Sequence, residues 1–357
     1  MGLKLEHLSK AWNGFALRDI NLEVADGEYL ALLGPNGAGK TLLLETIVGF
    51  YKPDNGRILL DSNDLTALPP EKRRMGYVPQ NCMLFPHMRV RQNVEFGLKM
   101  RGIAEDQRKK TTEEVLRLMG LTSLAEKLPI TLSGGEKQKV ALARVLAFEP
   151  KIILLDEPLE SIDEESSRTT KVELKRIHRD LKVTVVHVTH HQMEAFSLAE
   201  RVAVMNCGQI VQVDQARLLL SSPADEFVAR FLGYENIFEG KLVKQDGRLS
   251  FVEVDGFVIR AVGNQKDDDC IVAIRPEDIS LSIKPVFSSY MNVLSGSVAD
   301  YMDMGPIVTV SIDSPIKVKA AVNKGSFLEL NPDRGTPVWL SFKPEMVKIL
   351  KKRQASK

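Results

Sequence analysis

A glycine-rich loop between an apolar run and a helical pattern constrains the fold of this chain more than any other feature. The stretch GPNGAGKT, Gly34–Thr41, matches the pattern GxxxxGK[ST] and directly follows the run YLALLG. From Lys40 onward the apolar residues recur at helical spacing as far as residue 48. A strand that turns through such a loop into a helix is typical of phosphate-binding loops. The loop therefore predicts a nucleotide-binding α/β fold.

The residue types of this loop suit a nucleoside triphosphate. Glycines let successive backbone N–H groups turn inward around the β-phosphate, and the N-terminus of the next helix adds its positive dipole end. The Lys40 ammonium would reach the β- and γ-phosphates, and the Thr41 hydroxyl would ligate Mg²⁺. The predicted ATP-binding residues of the loop are Gly34, Pro35, Asn36, Gly37, Ala38, Gly39, Lys40 and Thr41.

A second apolar run supplies the carboxylates that such a site needs. KIILLDE, Lys151–Glu157, predicts a buried strand that ends at Asp156. Ligands bind at the carboxyl ends of the strands in α/β sheets of this kind. We therefore expect Asp156 to hold Mg²⁺ through water, and Glu157 to point at the water that attacks the γ-phosphate.

The texture of the chain changes after Gly233 and predicts two domains. Strands alternate with helices over residues 1–235, which predicts a parallel sheet covered on both faces. Residues 236–357 hold short alternating runs broken by Gly, Asp, Asn and Pro, which predicts an all-β domain. Within it NIFEGKL matches NVLSGSV and IRPEDISL matches FKPEMVKI, in the same order. The predicted fold is an α/β P-loop NTPase followed by an all-β, internally duplicated, barrel-like domain.

The composition argues against several classes of protein. The 48 basic and 47 acidic side chains leave a net charge of +1, which gives no electrostatic case for a nucleic-acid partner. The three cysteines lie far apart without CxxC spacing, which favours a reducing cytosol over a disulfide framework or a metal site. No apolar run approaches the roughly 18 residues that span a bilayer, so we expect the chain itself to be soluble.

With the stretch LSGGE added, residues 1–235 resemble the ATP-binding-cassette ATPases, in which LSGG is the signature motif. The resemblance implies a head-to-tail homodimer in which Ser133, Gly134 and Gly135 of one copy close the ATP held by the other copy's phosphate loop. Hydroxyl and N–H groups at a helix N-terminus suit that role, because phosphoryl transfer to water depends on positioning and charge neutralisation.

Four further residues match motifs of the same family: Gln80 in YVPQN, Asp163 in LESIDE, His190 in VTHHQ and Trp12 in KAWNG. The resemblance implies that Gln80 ligates the metal, that His190 contacts the γ-phosphate and that Asp163 lies at the nucleotide. Trp12 would stack on adenine, with Phe15 as the alternative aromatic. The catalytic residues would be Glu157, His190, Gln80 and Lys40. The chain departs from the family where LESID replaces LSALD and where His191, directly after His190, which matches the family's switch histidine, stands in place of the usual aspartate.

The segment after Gln80 resembles the LFPHMTV segment of importer ATPases. There Leu84–Met88 would contact a cytoplasmic helix of a separate membrane permease, which an external solute-binding protein feeds. That implies a peripheral position at the cytoplasmic face of the membrane. The alternative is a small apolar cluster under a loop.

The β-rich domain resembles the regulatory domains of importer ATPases and, in its last part, molybdate-binding domains. Carried over by position, Ser289, Asn323, Ser326 and Lys343 would contact a tetrahedral oxyanion, since hydroxyl, amide and ammonium donors suit a doubly charged anion. Met291 stands where that family has an arginine. Lys343 also aligns with Arg275 in the internal repeat, which leaves an architectural role open.

The resemblance implies an ATPase subunit for molybdate or tungstate import, inhibited by the oxyanion when the C-terminal domain binds it. The alternatives are an importer for another solute, such as sulfate, phosphate, ferric ion or sugar, a cassette ATPase outside transport, and a domain that stores oxyanion.

Overall fold

The part of the chain described by a computed structural model comprises residues 2–160, 162–263, 268–286, 288 and 290–352. The chain folds into two units, Met1–Leu219 and Leu220–Lys357. This division lies earlier in the chain than the expected boundary after residue 235. In the second unit the Arg275 guanidinium lies 4.7 Å from the centre of the Tyr234 ring, which belongs to the intervening segment.

The first unit combines two sheets with the helices that cover them. Its strands are β1 (Gly2–Trp12), β2 (Phe15–Ala25), β3 (Tyr29–Leu33), β4 (Asn55–Leu60), β5 (Asn63–Asp64), β6 (Met75–Val78), β7 (Ile152–Asp156), β8 (Thr184–Thr189), β9 (Arg201–Asn206) and β10 (Gln209–Gln215). Its helices are α1 (Lys40–Val48), α2 (Val90–Met100), α3 (Glu105–Leu118), α4 (Gly134–Leu146), α5 (Glu164–Leu181) and α6 (Gln192–Leu198). The expected helical stretch near 215–232 consists of two short helices, α7 (Ala216–Ser221), which crosses the boundary between the units, and α8 (Glu226–Phe231).

The larger sheet confirms the predicted parallel architecture. Its strand order is β10-β9-β3-β8-β7-β6, with β10 antiparallel at one edge and the others parallel. Every residue of β3, β7 and β8 is buried, because both faces are covered. Ile153 and Leu155 pack into the core that includes α2–α5, whereas Ile152 and Leu154 pack with α1 and the antiparallel sheet β2-β1-β4-β5.

This topology brings the chemistry-bearing residues to one edge. In the order β3-β8-β7-β6 the carboxyl ends of four neighbouring parallel strands lie side by side. The phosphate loop follows β3, His190 follows β8, Asp156 ends β7 and Gln80 comes shortly after β6. Residues far apart in sequence therefore meet at the edge where doubly wound sheets bind ligands.

The second unit contains a duplicated set of strands. The first set is β11 (Asn236–Asp246), β12 (Leu249–Val254), β13 (Phe257–Val262), β14 (Asp269–Ile274) and β15 (Ser280–Ser282). The second set is β16 (Asn292–Asp303), β17 (Ile307–Asp313), β18 (Val318–Asn323), β19 (Pro337–Phe342) and β20 (Lys348–Lys351), with α9 (Lys324–Leu330) between β18 and β19. In both sets a short 3₁₀ helix, Pro276–Asp278 or Pro344–Met346, precedes the last strand.

The two sets exchange their last strands. One sheet has the order β13-β12-β11-β14-β20, and the other β15-β19-β16-β17-β18, so β20 completes the first set and β15 the second. Both sheets are open within the described residues, rather than closed into the expected barrel. The all-β, duplicated character is confirmed.

Two equivalent asparagines tie the sets together. The buried Asn236 side chain accepts a hydrogen bond from Lys319 N at 2.7 Å and donates to Lys319 O at 2.9 Å, on β18 of the other set. The buried Asn292 accepts from Arg260 N at 2.7 Å and donates to Arg260 O at 2.8 Å, on β13. These matched pairs explain why both halves of the repeat begin with asparagine.

Candidate nucleotide site

The phosphate loop has the geometry that its glycines predict. Gly39 has φ +101°, and a Cβ there would lie 2.4 Å from the Phe15 ring, so glycine is required on both counts. The buried Lys40 Nζ donates to the carbonyl oxygens of Gly34 at 2.9 Å and Pro35 at 3.1 Å. Burial lowers the pKa of the Lys40 ammonium, and the Glu157 carboxylate, 3.7 Å away, opposes that shift. The ammonium is thereby held within the loop.

Thr41 at the start of α1 and Asp156 at the end of β7 place two oxygen ligands suited to Mg²⁺ side by side. The Thr41 hydroxyl donates to Asp156 Oδ1 at 3.0 Å, and the Tyr77 hydroxyl donates to Asp156 Oδ2 at 3.3 Å. Burial raises the pKa of the Asp156 carboxyl, and these hydrogen bonds counteract the rise. Hydroxyl, carboxylate and amide oxygens are the donors that Mg²⁺ prefers, so Thr41, Asp156 and Gln80 fit this ion chemically.

Glu157 and His190 form a close pair between β7 and β8. His190 Nδ1 lies 2.8 Å from Glu157 Oε2. The Glu157 backbone has φ +44°, a left-handed conformation that is strained for glutamate and common at functional sites, and its N–H donates to Val188 O. Burial raises the pKa of Glu157, and the neighbouring Glu160 raises it further. A carboxylate with raised proton affinity next to an imidazole suits the orientation of water.

Glu160 also belongs to the site, although none of the sequence motifs includes it as a site residue. Its carboxylate accepts a hydrogen bond from Gln80 Nε2, and ligand atoms of Glu157, Glu160 and His190 all lie within 4.8 Å of one another. The sequence signal for it is the departure of LESID from the family's LSALD, which begins at this residue.

A cavity of about 460 Å³ lies at this site, and neither Asp156 nor His190 is part of its wall. It is lined by residues of the loop and α1 together with Phe15, Gln80, Glu157 and Glu160. Phe15, the alternative adenine contact, is thus part of the cavity wall. Trp12 lies beside it with ring centres 6.4 Å apart and packs edge-on against Tyr51, so adenine stacking by Trp12 stays a prediction.

The signature residues lie near the start of α5 and do not line this cavity. Ser133 caps α4: its Oγ accepts from Glu136 N at 3.3 Å, and its own N–H donates to the Glu136 carboxylate at 2.7 Å. A Cβ on Gly135 would lie 3.1 Å from Ser166 Cβ in the first turn of α5, and Asp163 caps that helix through Ser166 N.

Within one chain, Ser133, Gly134, Gly135 and Asp163 are therefore not part of the cavity wall. Ser133 is exposed at the N-terminus of α4. Closure of ATP by a second copy stays a prediction that this geometry permits.

The segment Leu84–Met88 combines core packing with exposure. The fully buried Asn93 side chain accepts from Phe85 N at 2.8 Å and donates to Phe85 O and Met88 O, which fixes the loop. Leu84 packs against the main core, whereas Pro86 is exposed. Leu84 thus fits the apolar-cluster interpretation. The exposed part of the segment, whose backbone is fixed by Asn93, is a surface that a partner could contact.

The predicted oxyanion residues are only partly described. Asn323 Oδ1 accepts from Ser326 N at 2.8 Å and caps α9, and the Lys343 side chain is exposed. Ser289 lies outside the described residues. Arg275, which aligns with Lys343, donates to Leu220 O at 2.9 Å, so the basic residue has a structural role in the first repeat. No helix of the described residues has the length and apolar character needed to cross a membrane.

Comparisons with known proteins bear on both units. A family model described as ABC transporter matches residues 17–160, and one described as TOBE domain matches residues 272–350. The molybdate/tungstate import ATP-binding protein WtpC of Pyrococcus abyssi is 41% identical over 97% of this chain and 99% of its own. The spermidine/putrescine import ATP-binding protein PotA of Nitrosomonas eutropha is 34% identical over 98% of each chain.

Among solved structures, the dimeric ATP-binding cassette MJ0796 in a post-hydrolysis state bound to ADP and Pi is similar. It is 30% identical, covers 60% of this chain and 99% of that chain, and aligns with a TM-score of 0.55. The phosphate loop, the carboxylates at the end of β7 and the near-full-length relatives all indicate the same family. The chain belongs to the ABC transporter family and is an ATPase that carries the family's ATP-binding cassette.

Proposed function

We propose that this chain hydrolyses ATP to power the import of molybdate or tungstate through a separate membrane permease. The observation that carries the proposal is the similarity to the Pyrococcus abyssi protein, which extends through both units and not through the cassette alone. The matched TOBE domain supports a regulatory role for the second unit.

Residues of the nucleotide site would carry out hydrolysis. Lys40 and the loop N–H groups bind the β- and γ-phosphates, and Glu157 orients the attacking water and accepts its proton. His190 holds the Glu157 carboxylate through the 2.8 Å contact and reaches the γ-phosphate once ATP is present. Mg²⁺, held by Thr41, Asp156 and Gln80, would neutralise charge on the phosphate oxygens.

The proposed assembly is a homodimer at the cytoplasmic face of the membrane. Ser133, Gly134 and Gly135 of each copy would close the site of the other, with Asp163 beside them. The dimeric state of the similar MJ0796 cassette supports this arrangement. The loop around Leu84–Met88, held by Asn93, would receive the permease, and an external solute-binding protein would deliver the oxyanion.

Solute uptake tests the proposal directly. Deletion of the gene is expected to reduce accumulation of tungstate and molybdate from dilute medium to background, since import against a gradient needs the ATPase. The wild-type chain should restore uptake and a Glu157→Gln chain should not. Mass spectrometry measures the tungsten and molybdenum content of the cells. Uptake of labelled sulfate and of labelled spermidine is measured in parallel. Unchanged oxyanion uptake with loss of another solute would favour an importer of that solute, an alternative supported by the PotA relative.

The regulatory part of the proposal has its own test. We expect the full chain to bind tungstate and molybdate, but not sulfate, in isothermal titration calorimetry. Lys343→Ala should weaken binding about tenfold, because it removes one charge-assisted hydrogen bond worth about 1.5 kcal/mol. Lys352→Ala removes another exposed lysine of the same unit and should leave binding unchanged. Absence of heat with all three anions would exclude the regulatory site and leave the transport proposal intact.

A further inference from the structure

A buried carboxylate outside the cavity is linked to the switch histidine. Glu194 lies in the first turn of α6 with only 6% of its surface exposed, and it has no part in the mechanism described above. Its Oε2 accepts a hydrogen bond at 2.8 Å from the hydroxyl of Thr189, the last residue of β8. Burial of a carboxylate costs free energy unless the carboxylate is hydrogen-bonded, so the hydrogen bond from Thr189 explains how Glu194 can be buried here.

The hydrogen bonds of this carboxylate close a ring around His190. Thr189 Oγ1 also accepts from His191 N at 3.0 Å, and Glu194 N donates to His191 O at 3.2 Å. The residues on both sides of the switch histidine are thus held by one hydroxyl and one carboxylate. The backbone that carries His190 cannot rotate without loss of at least one of these bonds.

A second buried group lies against the same carboxylate. His187 is fully buried, and its Nδ1 lies 2.9 Å from the Tyr29 hydroxyl on β3. Among the described residues its Nε2 has no hydrogen-bond partner, and it lies 3.8 Å from Glu194 Oε2. Burial lowers the pKa of His187 to about 3, so the ring is neutral and one nitrogen carries a proton. The Tyr29 hydroxyl can donate to Nδ1, and in that tautomer the Nε2–H faces Glu194 and limits the positions its carboxylate can adopt.

We infer that Glu194 is a positioning residue for ATP hydrolysis, which acts through Thr189 to fix the backbone on which His190 reaches Glu157. The inference rests on the proposed role of His190. Placement matters because the pair is only 2.8 Å apart, and a displacement of about 1 Å in a reacting group can cost about a hundredfold in rate.

The decisive variants change one hydroxyl. Thr189→Val keeps the side-chain shape and removes the hydrogen bonds, and we expect kcat to fall by about ten- to a hundredfold while KM for ATP is unchanged. Thr189→Ser restores the hydroxyl and should restore kcat. Thr170→Val is the matched control, because Thr170 is equally buried and its hydroxyl donates to Ser166 O within α5. It should keep the wild-type kcat.

An NMR measurement on the nucleotide-free protein distinguishes a change in the position of His190 from a general loss of folding. The chain has six histidines, so ¹⁵N-histidine labelling gives few imidazole signals, and His190→Ala assigns the one of interest. We expect Thr189→Val and Glu194→Ala to shift or broaden the His190 signal in the apo protein, with the melting temperature as the check on folding.

Two results are distinguishable. If His190→Ala leaves kcat unchanged, the proposed role of His190 fails. If His190→Ala lowers kcat while Thr189→Val keeps wild-type kcat and an unchanged His190 signal, the positioning role of Glu194 is wrong.

Discussion

Glu157→Gln is expected to lower kcat for ATP hydrolysis by about a thousandfold, because it removes the carboxylate that we propose orients and deprotonates water. Glutamine keeps the size of the side chain, so ATP should still bind to the loop and Lys40. The variant should consequently accumulate as an ATP-bound dimer. Phosphate release measures the rate, and size-exclusion chromatography with light scattering in ATP and Mg²⁺ measures the dimer.

Glu160→Gln provides the matched control for this prediction. It neutralises a carboxylate of the same cavity that accepts a hydrogen bond from Gln80, whereas the 2.8 Å contact with His190 is made by Glu157. We expect a loss of less than about tenfold, since no general base is removed. A Glu157→Gln chain that hydrolyses ATP as fast as the Glu160→Gln chain would contradict the assignment of Glu157.

Two inactive variants are expected to regain activity when they are mixed. Lys40→Ala disables the phosphate loop and Ser133→Arg blocks the signature, and each alone should lose at least about a hundredfold in rate. A mixed dimer pairs the intact loop of one chain with the intact signature of the other and restores one of its two sites. Random exchange makes half of the dimers mixed, so about a quarter of wild-type activity should return.

Subunit mixing separates shared sites from sites complete within one chain. The measurement is the ATPase rate of an equimolar mixture against each variant alone at the same total concentration. Lys40→Ala alone at doubled concentration is the control for effects of protein concentration on the rate. If the two variants together remain as inactive as either alone, while exchange of labelled subunits is observed, closure by the partner copy is excluded.

The local parts of the site could be read from sequence because each depends on one strand and the loop after it. Gly34–Thr41 and Asp156 are determined by an apolar run and its last residues, which fix their place at the sheet edge. The contact of Gln80 with Glu160 joins the loops after β6 and β7, and no periodicity within either segment encodes that approach.

The non-local features of the fold were out of reach for the same reason. The matching sequence segments predict the duplication. They do not predict that β15 joins the sheet of the second set and β20 that of the first, because a sequence match carries no information on which copy a strand pairs with. Trp12 and Phe15 face each other across a short turn between β1 and β2. Which ring lines the cavity depends on packing against Gly39, a contact that only the folded structure contains.

The exchanged strands have a consequence for how the chain is made. A ribosome delivers β11–β14 well before β20, so the first sheet of the second unit must wait with one edge uncovered until β20 is synthesised. The larger sheet of the first unit needs no strand beyond β10. The first unit can therefore reach its native topology on the ribosome while the second unit is still incomplete, and the exposed backbone of β14 is the segment most open to wrong pairing in that interval.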